Sequence, residues 1–241
     1  MSQESRVADS SEVGDAFDAL ARFFVHDGTL GDTLLHVAKL ACTAGPADMA
    51  GITMLVDGVP STGVFTDSEA PEIDKAQYES EQGPCLDAFR DQSVYRIEST
   101  AADVRWPEFA RTAAHHGIKS TLSLPITARD ESLGALNLYS RTAAAFGDPD
   151  IERMRTFATH AAVVLTNAQV YWDARHLNEN LNQAMRSRAT IDHAVGIVMA
   201  TGGKNPQDAF QVLVKASQRE NRKLREIATE SVVRAETSTA T

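Results

Sequence analysis

The chain is poor in the features that announce many functions. It has 241 residues but only two cysteines, Cys42 and Cys85, and neither stands at metal-ligand spacing. A zinc site and a disulfide framework are therefore not expected; a reduced compartment fits, and a single disulfide stays open. No apolar run approaches the ~18–20 residues of a membrane span. The polar, acidic start "MSQESRVADSSEVGD" lacks the apolar core of a signal peptide. Residues 1–15 therefore read as a disordered lead, and the protein as cytoplasmic with no membrane partner. There is no Ser-His-Asp set, no acid pair of defined geometry and no metal motif. "TGGK", ending at Lys204, has neither the preceding strand nor the GxxxxGK spacing of a P-loop. His115-His116 has no third ligand at useful spacing, and a helix end explains the pair. An enzyme is not expected, and no metal or cofactor is called for.

What is present is an uneven charge. The net formal charge is −10, which argues against nonspecific nucleic-acid binding by the whole chain. Up to His176 there are 14 Lys and Arg against 26 Asp and Glu, whereas Leu177 to Ala235 has 9 against 6. An acidic body with a basic end suggests a polyanion partner for the end alone. The plainer alternative is a short helical tail that is basic by chance.

Residue periods divide the chain further. From Ala16 to Ala44 the apolar spacing is helical, with a break at "HDGTLGD". Ile52, Met54 and Val56 then alternate with Thr53, Leu55 and Asp57, and Asp57-Gly58 marks a tight turn between two strands. "EIDKAQYESEQGPCLDAFRDQ" reads as loop and short helix, and "SVYRIES" as a strand. "DVRWPEFARTAAHHG" is a helix entered through Pro107 and ended by Gly117. "STLSLPIT" and "ESLGALNLYSR" alternate as antiparallel strands with one buried face. Asp148 then stands as N-cap, with Pro149 at the first position, for a helix beginning "GDPDIERMRTF". The order helix, hairpin, strand, helix, two strands, helix predicts an α+β domain with an antiparallel sheet over residues 16–170.

That last helix has no visible stop. Met154, Phe157, Ala161, Val164, Ala168 and Tyr171 keep a heptad-like rhythm, which slips near Trp172 and resumes at Leu177, Leu181, Ala184, Arg188 and Ile191. A long linking helix with such a seam suggests a parallel coiled coil and a homodimer; packing on its own sheet explains the first half equally well. Three helices follow one another from the linker to Ala235. The first ends at Gly202-Gly203, the second opens at Asn205-Pro206, and the third is "RENRKLREIATESVV" with Leu224, Ile227, Ala228 and Val232 inward. Phe210, Leu213 and Ala216 form the inner face of the second. Gly196 lies inside the apolar stripe of the first, where glycine costs about 1 kcal/mol against alanine. The expectation is that a neighbouring helix comes close there. Residues 171–235 thus read as linking helix and three-helix bundle, and residues 236–241 as a disordered tail.

These residues resemble a known family. "SRATIDHAVGIVMATGGKNPQDAFQVLVKASQRENRKLREIATESVV" resembles the ANTAR domain, a three-helix RNA-binding module of bacterial transcription antiterminators. The matching positions are Arg188, Ile191, Ala194, Gly196, Met199, Ala209, Phe210, Leu213, Ala216, Asn221, Leu224 and Ala228. Upstream, "EQGPCLDAF", "DVRWPEFA" and "STLSLPI…ESLGALNLYS" resemble a GAF sensor domain. The resemblance implies a dimeric regulator whose sensor half controls binding to paired RNA stem-loops, which prevents a terminator hairpin from forming. Val195 stands where the family often has lysine, and Val214 where arginine is common.

RNA contact needs cations for phosphate and planar groups for unpaired bases. Arg186, Arg188, Lys204, Lys215, Arg219, Arg222, Lys223 and Arg225 are the candidate cations, although Glu220, Glu226 and Glu230 interleave as on an ordinary solvated surface. With Phe210 assigned to the core, stacking falls to arginine planes. Cys85, Trp106 and Tyr139 are candidates for a small-molecule pocket in the sensor half; a buried thiol and core aromatics are the plainer readings. A ligand-responsive DNA-binding transcription factor is the alternative function. A methionine sulfoxide reductase of GAF type is a third, disfavoured by the two widely separated cysteines.

Overall fold

The structure, a computed structural model, describes residues 10–23, 28–56, 59–129 and 131–239. The chain divides into two compact units, Met1–Trp172 and Asp173–Thr241.

In the first unit, helix α1 (Ser10–Ala21) begins inside the segment expected to be a disordered lead. Its Ala16 and Leu20, one turn apart, are buried. Helix α2 (Leu30–Ala44) opens with a capping box, in which the Thr29 hydroxyl accepts the Asp32 N–H at 3.2 Å and the Asp32 carboxylate accepts the Thr29 N–H at 2.7 Å. Strands β1 (Met49–Val56) and β2 (Val59–Phe65) form the expected hairpin; its Asp57-Gly58 turn lies outside the described residues. The stretch read as loop and short helix is two helices, α3 (Ala70–Ser80) and α4 (Pro84–Asp91). Ala70, Ile73 and Gln77 give α3 a buried stripe that its polar composition conceals. Strand β3 (Tyr95–Ile97), helix α5 (Pro107–His115) and strands β4 (Ser120–Ala128) and β5 (Glu131–Ser140) follow.

The five strands run in the order β2-β1-β5-β4-β3, and every pair is antiparallel. β5 and β1 approach closely at Gly134, where a β-carbon would collide with the Thr53 carbonyl oxygen. One sheet face, with Ile52, Leu122, Leu124, Leu136 and Leu138, packs against α1, α2 and the next helix, α6 (Asp148–Gly202). The other face is covered as well, by Ala70 and Ile73 of α3 and by Trp106 and Phe109 at α5. The expectation of a single buried face is thus corrected. The alternating Thr53, Thr121, Ser123 and Asn137, which look solvent-facing in sequence, are all buried.

Helix α6 is continuous through the linker. Its first hydrogen bond runs from Ile151 to the Gly147 carbonyl at 3.0 Å, so Asp148 lies within the first turn instead of capping it. Met154, Phe157, Ala161 and Ala168 are fully buried within the first unit, which accounts for the first half of the heptad-like rhythm. Other apolar residues of the same helix remain exposed, Val163 and Val170 in the first unit and Leu177, Leu181 and Met185 in the second.

The second unit contains the end of α6, α7 (Pro206–Glu220) and α8 (Leu224–Thr239). Helix α8 runs past Ala235 into the segment expected to be a disordered tail. The Asn205 side chain caps α7, accepting the Asp208 N–H at 2.8 Å, and Asn221, at φ 50°, ends it. Ala194, Leu213, Ile227 and Ala228 form the core, with Ile191, Val195, Val198, Ala216, Leu224 and Val232 packed around them. Ala209 is buried and Met199 half-buried. Two expectations fail here. Phe210 is 39% exposed, because Ala209, Leu213 and Ala216 already fill the inner face of α7. Gly196 is exposed, and a β-carbon added to it would meet no atom of another element within 4 Å, so no helix packs against it.

Candidate functional site

Charge distinguishes the surface of the second unit. Each of its described acids from Glu179 to Glu230 has a partner. Glu179 meets Arg175, Asp192 meets Arg188 loosely at 3.9 Å, and Asp208 accepts from the Asn205 side-chain amide. Glu220, Glu226 and Glu230 surround the Arg222 guanidinium at 3.3, 3.8 and 2.9 Å. The hydrogen bond from Arg222 holds the Glu230 carboxyl below its usual range. Arg219 and Arg234 are likewise paired, with Glu220 and Glu230. Arg186, Lys204, Lys215, Lys223 and Arg225 have no carboxylate partner among the described residues. The eight candidate cations therefore separate into two groups, and Arg222 is largely neutralised by its own neighbours.

A groove of about 820 Å³ lies between α6 and α8. It brings together Arg186, Arg222 and Arg225, with Asn182, Thr190 and Thr229 beside them. The spacing explains the convergence: Asn182, Arg186 and Thr190 recur every fourth residue on α6, as Arg225 and Thr229 do on α8. The polar members were missed from sequence, although this four-residue repeat was there to read. Glu179, Glu226 and Glu230 also line the groove, so its charge is mixed. Val195 packs against the core cluster, so valine in place of the family's lysine serves the interior of the unit.

A second groove, of about 830 Å³, contains Gly196 with Asp192, His193, Ile197, Ala200, Val232 and Ala235. Gly196 thus borders a surface depression.

The first unit holds a polar cluster inside its second layer. Asp74, on α3, is fully buried and accepts hydrogen bonds from Tyr139 on β5, from Gln77 at 2.7 Å, from Asn137 at 3.2 Å and from Tyr78 at 3.4 Å. Tyr78 also meets the Thr53 hydroxyl at 2.6 Å, and the Gln77 side-chain Oε1 accepts the Cys85 N–H at 3.0 Å. No cation partners Asp74 in this cluster. Loss of hydration therefore outweighs the four hydrogen bonds and raises its pKa from 3.8 to about 6. Burial, followed by the Asp74 charge, pushes the Cys85 thiol up to about 12. The same two causes raise the Tyr139 hydroxyl well above its ordinary value.

The three residues expected to line a ligand pocket are all interior. Cys85 and Tyr139 border the Asp74 cluster, and the Trp106 indole donates to Asp87 at 2.8 Å. Asp74, Gln77, Tyr78 and Asn137 were missed, although Asp74, Gln77 and Tyr78 lie one turn apart on a helix. Among the described residues, no three His, Cys, Asp or Glu side chains gather where they could hold a metal ion. No described helix is long and apolar enough to cross a membrane.

Comparison with known proteins places both units. The GAF domain family matches residues 27–166, and the ANTAR domain family matches residues 179–231. No curated protein matches the chain. Among solved structures, the reduced form of fRMsr of Staphylococcus aureus is 16% identical, with a TM-score of 0.50, over 64% of this chain and 94% of that one. The GAF domain of an Acinetobacter phosphoenolpyruvate-protein phosphotransferase is 12% identical, with a TM-score of 0.48, over 72% and 99%. A domain of a sensor histidine kinase protein of Sinorhizobium meliloti is 13% identical, with a TM-score of 0.49, over 62% and 99%. The first of these supports the fold alone. With most of its length matched by one family and its end by the other, the chain belongs to the GAF domain family and carries an ANTAR domain, in a GAF–ANTAR architecture.

Proposed function

We propose that this protein is a signal-responsive transcription antiterminator that binds stem-loop RNA through its ANTAR domain. In this reading the GAF domain receives a small-molecule signal and the protein acts by binding, without catalysis. The observation that carries the reading is the charge imbalance of the ANTAR unit. Its acids from Glu179 to Glu230 are engaged within the protein, while Arg186, Lys204, Lys215, Lys223 and Arg225 are left for an external anion. RNA phosphates are anions of the required kind, and cations that meet them release condensed counterions.

The protein acts as a homodimer in this account. Val163, Val170 and Leu177 recur every seven residues, with Leu181 four further on. All four are exposed, and a heptad spacing of this kind is what a second α6 would cover in a coiled coil. A cytoplasmic location follows from the nature of the partner. Crosslinking of the intact protein to cellular RNA, followed by sequencing, tests the function. Enrichment of stem-loops preceding terminator hairpins is expected. Recovery of duplex DNA sites with no enrichment of structured RNA would favour a DNA-binding regulator instead.

A further inference from the structure

Phe210 is the one Phe, Tyr or Trp between Asp173 and Thr241, and it lies outside the core. The residue is 39% exposed, although the buried Ala209 and Leu213 flank it on the same helix. At ~100° per residue, Pro206, Val214 and Ser217 fall within about 40° of it around α7, Gln207 and Gln218 within about 80°, and Gln211 about 100° away. The three glutamines are exposed and Val214 is half-buried. A protein-docking face has a contiguous apolar patch. Here a single ring, with only the exposed Pro206 and the half-buried Val214 as apolar neighbours, is bordered by amides on one side.

Charge indicates the occupant. Lys204 and Lys215, before and along α7, have no carboxylate partner, whereas Asp208 accepts from Asn205 and Glu220 is held by Arg219 and Arg222. A partly exposed aromatic residue bordered by amide donors and acceptors, on a helix with uncompensated cations, matches the chemistry of an unpaired nucleobase on a polyanionic strand. We propose that Phe210 is a stacking platform for an unpaired loop base of the bound RNA, an assignment that rests on the RNA-binding reading above. The glutamines beside it are placed to meet that base's polar edge. Stacking therefore does not fall to arginine planes alone.

The test uses the full chain and a pool of hairpin RNAs with a fixed stem and randomised loop. A tightly bound hairpin is selected with the unaltered protein, then prepared with each loop position in turn made abasic. Phe210→Leu keeps an apolar side chain and a good helix former, and Phe210→Trp keeps a ring. The Leu variant is expected to lose about ten-fold in affinity and the Trp variant to keep it. One abasic position should cost the unaltered protein a similar factor and cost the Leu variant almost nothing further, since both changes remove the same contact. Melting curves establish that the variants are folded. If the unaltered protein selects no hairpin, the RNA-binding reading falls and this assignment with it. If a hairpin is bound but the Leu variant binds equally well, or its loss simply adds to that of every abasic position, the stacking assignment alone is overturned. A Leu variant that changes self-association and leaves RNA affinity intact assigns the ring to a protein contact and overturns it too.

Discussion

Asp74 offers a test of the sensor domain's interior. An ordinary aspartate loses its proton near pH 3.8, whereas Asp74 holds its proton to about pH 6 because it is buried without a cation. That gap corresponds to about 3 kcal/mol between the two protonation states. The folded-state pKa is raised, so the stabilising contribution of the protonated form is fully present below pH 3.8 and is lost as pH rises through about 6. Asp74→Asn removes the titration. It also turns an amide NH₂ toward Gln77 or Asn137, whose side-chain nitrogens only donate, which adds a roughly constant penalty of ~1–3 kcal/mol. The pH dependence, and not the absolute stability, is therefore the readout. Urea unfolding would be followed by Trp106 fluorescence between pH 4 and 8, in a Trp172→Phe background that leaves one reporter. The stability of the Asp74 protein relative to its Asn variant should fall by about 2 kcal/mol between pH 4 and 7, the part of that gap lying above pH 4. A flat difference across that range would refute the reasoning that burial dominates the four hydrogen bonds.

Other outcomes follow from the same structure. Gly196→Ala should stabilise the helices of the ANTAR unit by up to ~1 kcal/mol in thermal melts, because the methyl meets open space; a lower melting temperature would mean that the site is occupied. Cys85 should resist alkylation in the native protein at neutral pH and react on unfolding, since its thiol is buried and its pKa is raised to about 12; rapid native labelling of Cys85 would contradict its placement. Leu177→Glu with Leu181→Glu should shift sedimentation toward the monomer without lowering helical content, because both side chains are exposed in the single chain; an unchanged dimer would remove α6 as the seam.

Much of this architecture is legible in the sequence because periodicity and caps act locally. The alternation of Leu122 with Leu124 and of Leu136 with Leu138, and the capping of α7 by Asn205, are local signals of this kind. What is not legible depends on long-range partners. Thr53, Thr121, Ser123 and Asn137 read as a wet strand face, yet α3 to α5 cover that face and bury them. The compensating acid, Asp74, lies on another element, 63 residues from Asn137. Phe210 looks like core by its chemistry; only the spacing of Ala209, Leu213 and Ala216 shows that the inner face of α7 is already filled. Gly196 misleads in the opposite direction. Its composition signal is real, but the space it leaves opens outward. For the cations, residue type identifies the candidates, whereas the ion pairs that distinguish Arg186 from Arg222 require the packing of α6, α7 and α8.

The central claim, that the ANTAR unit binds RNA through its uncompensated cations, is tested most directly by the salt dependence of binding to the selected hairpin. With Arg186, Lys204, Lys215, Lys223 and Arg225 on phosphates, log affinity should fall against log salt with a slope of roughly −4 per protomer. Arg186→Ala with Arg225→Ala should make that slope shallower by about 2, whereas Arg222→Ala should change it little, because Glu220, Glu226 and Glu230 already hold that guanidinium. A slope near zero, or equal loss from Arg222→Ala and from the Arg186 and Arg225 pair, would contradict the account.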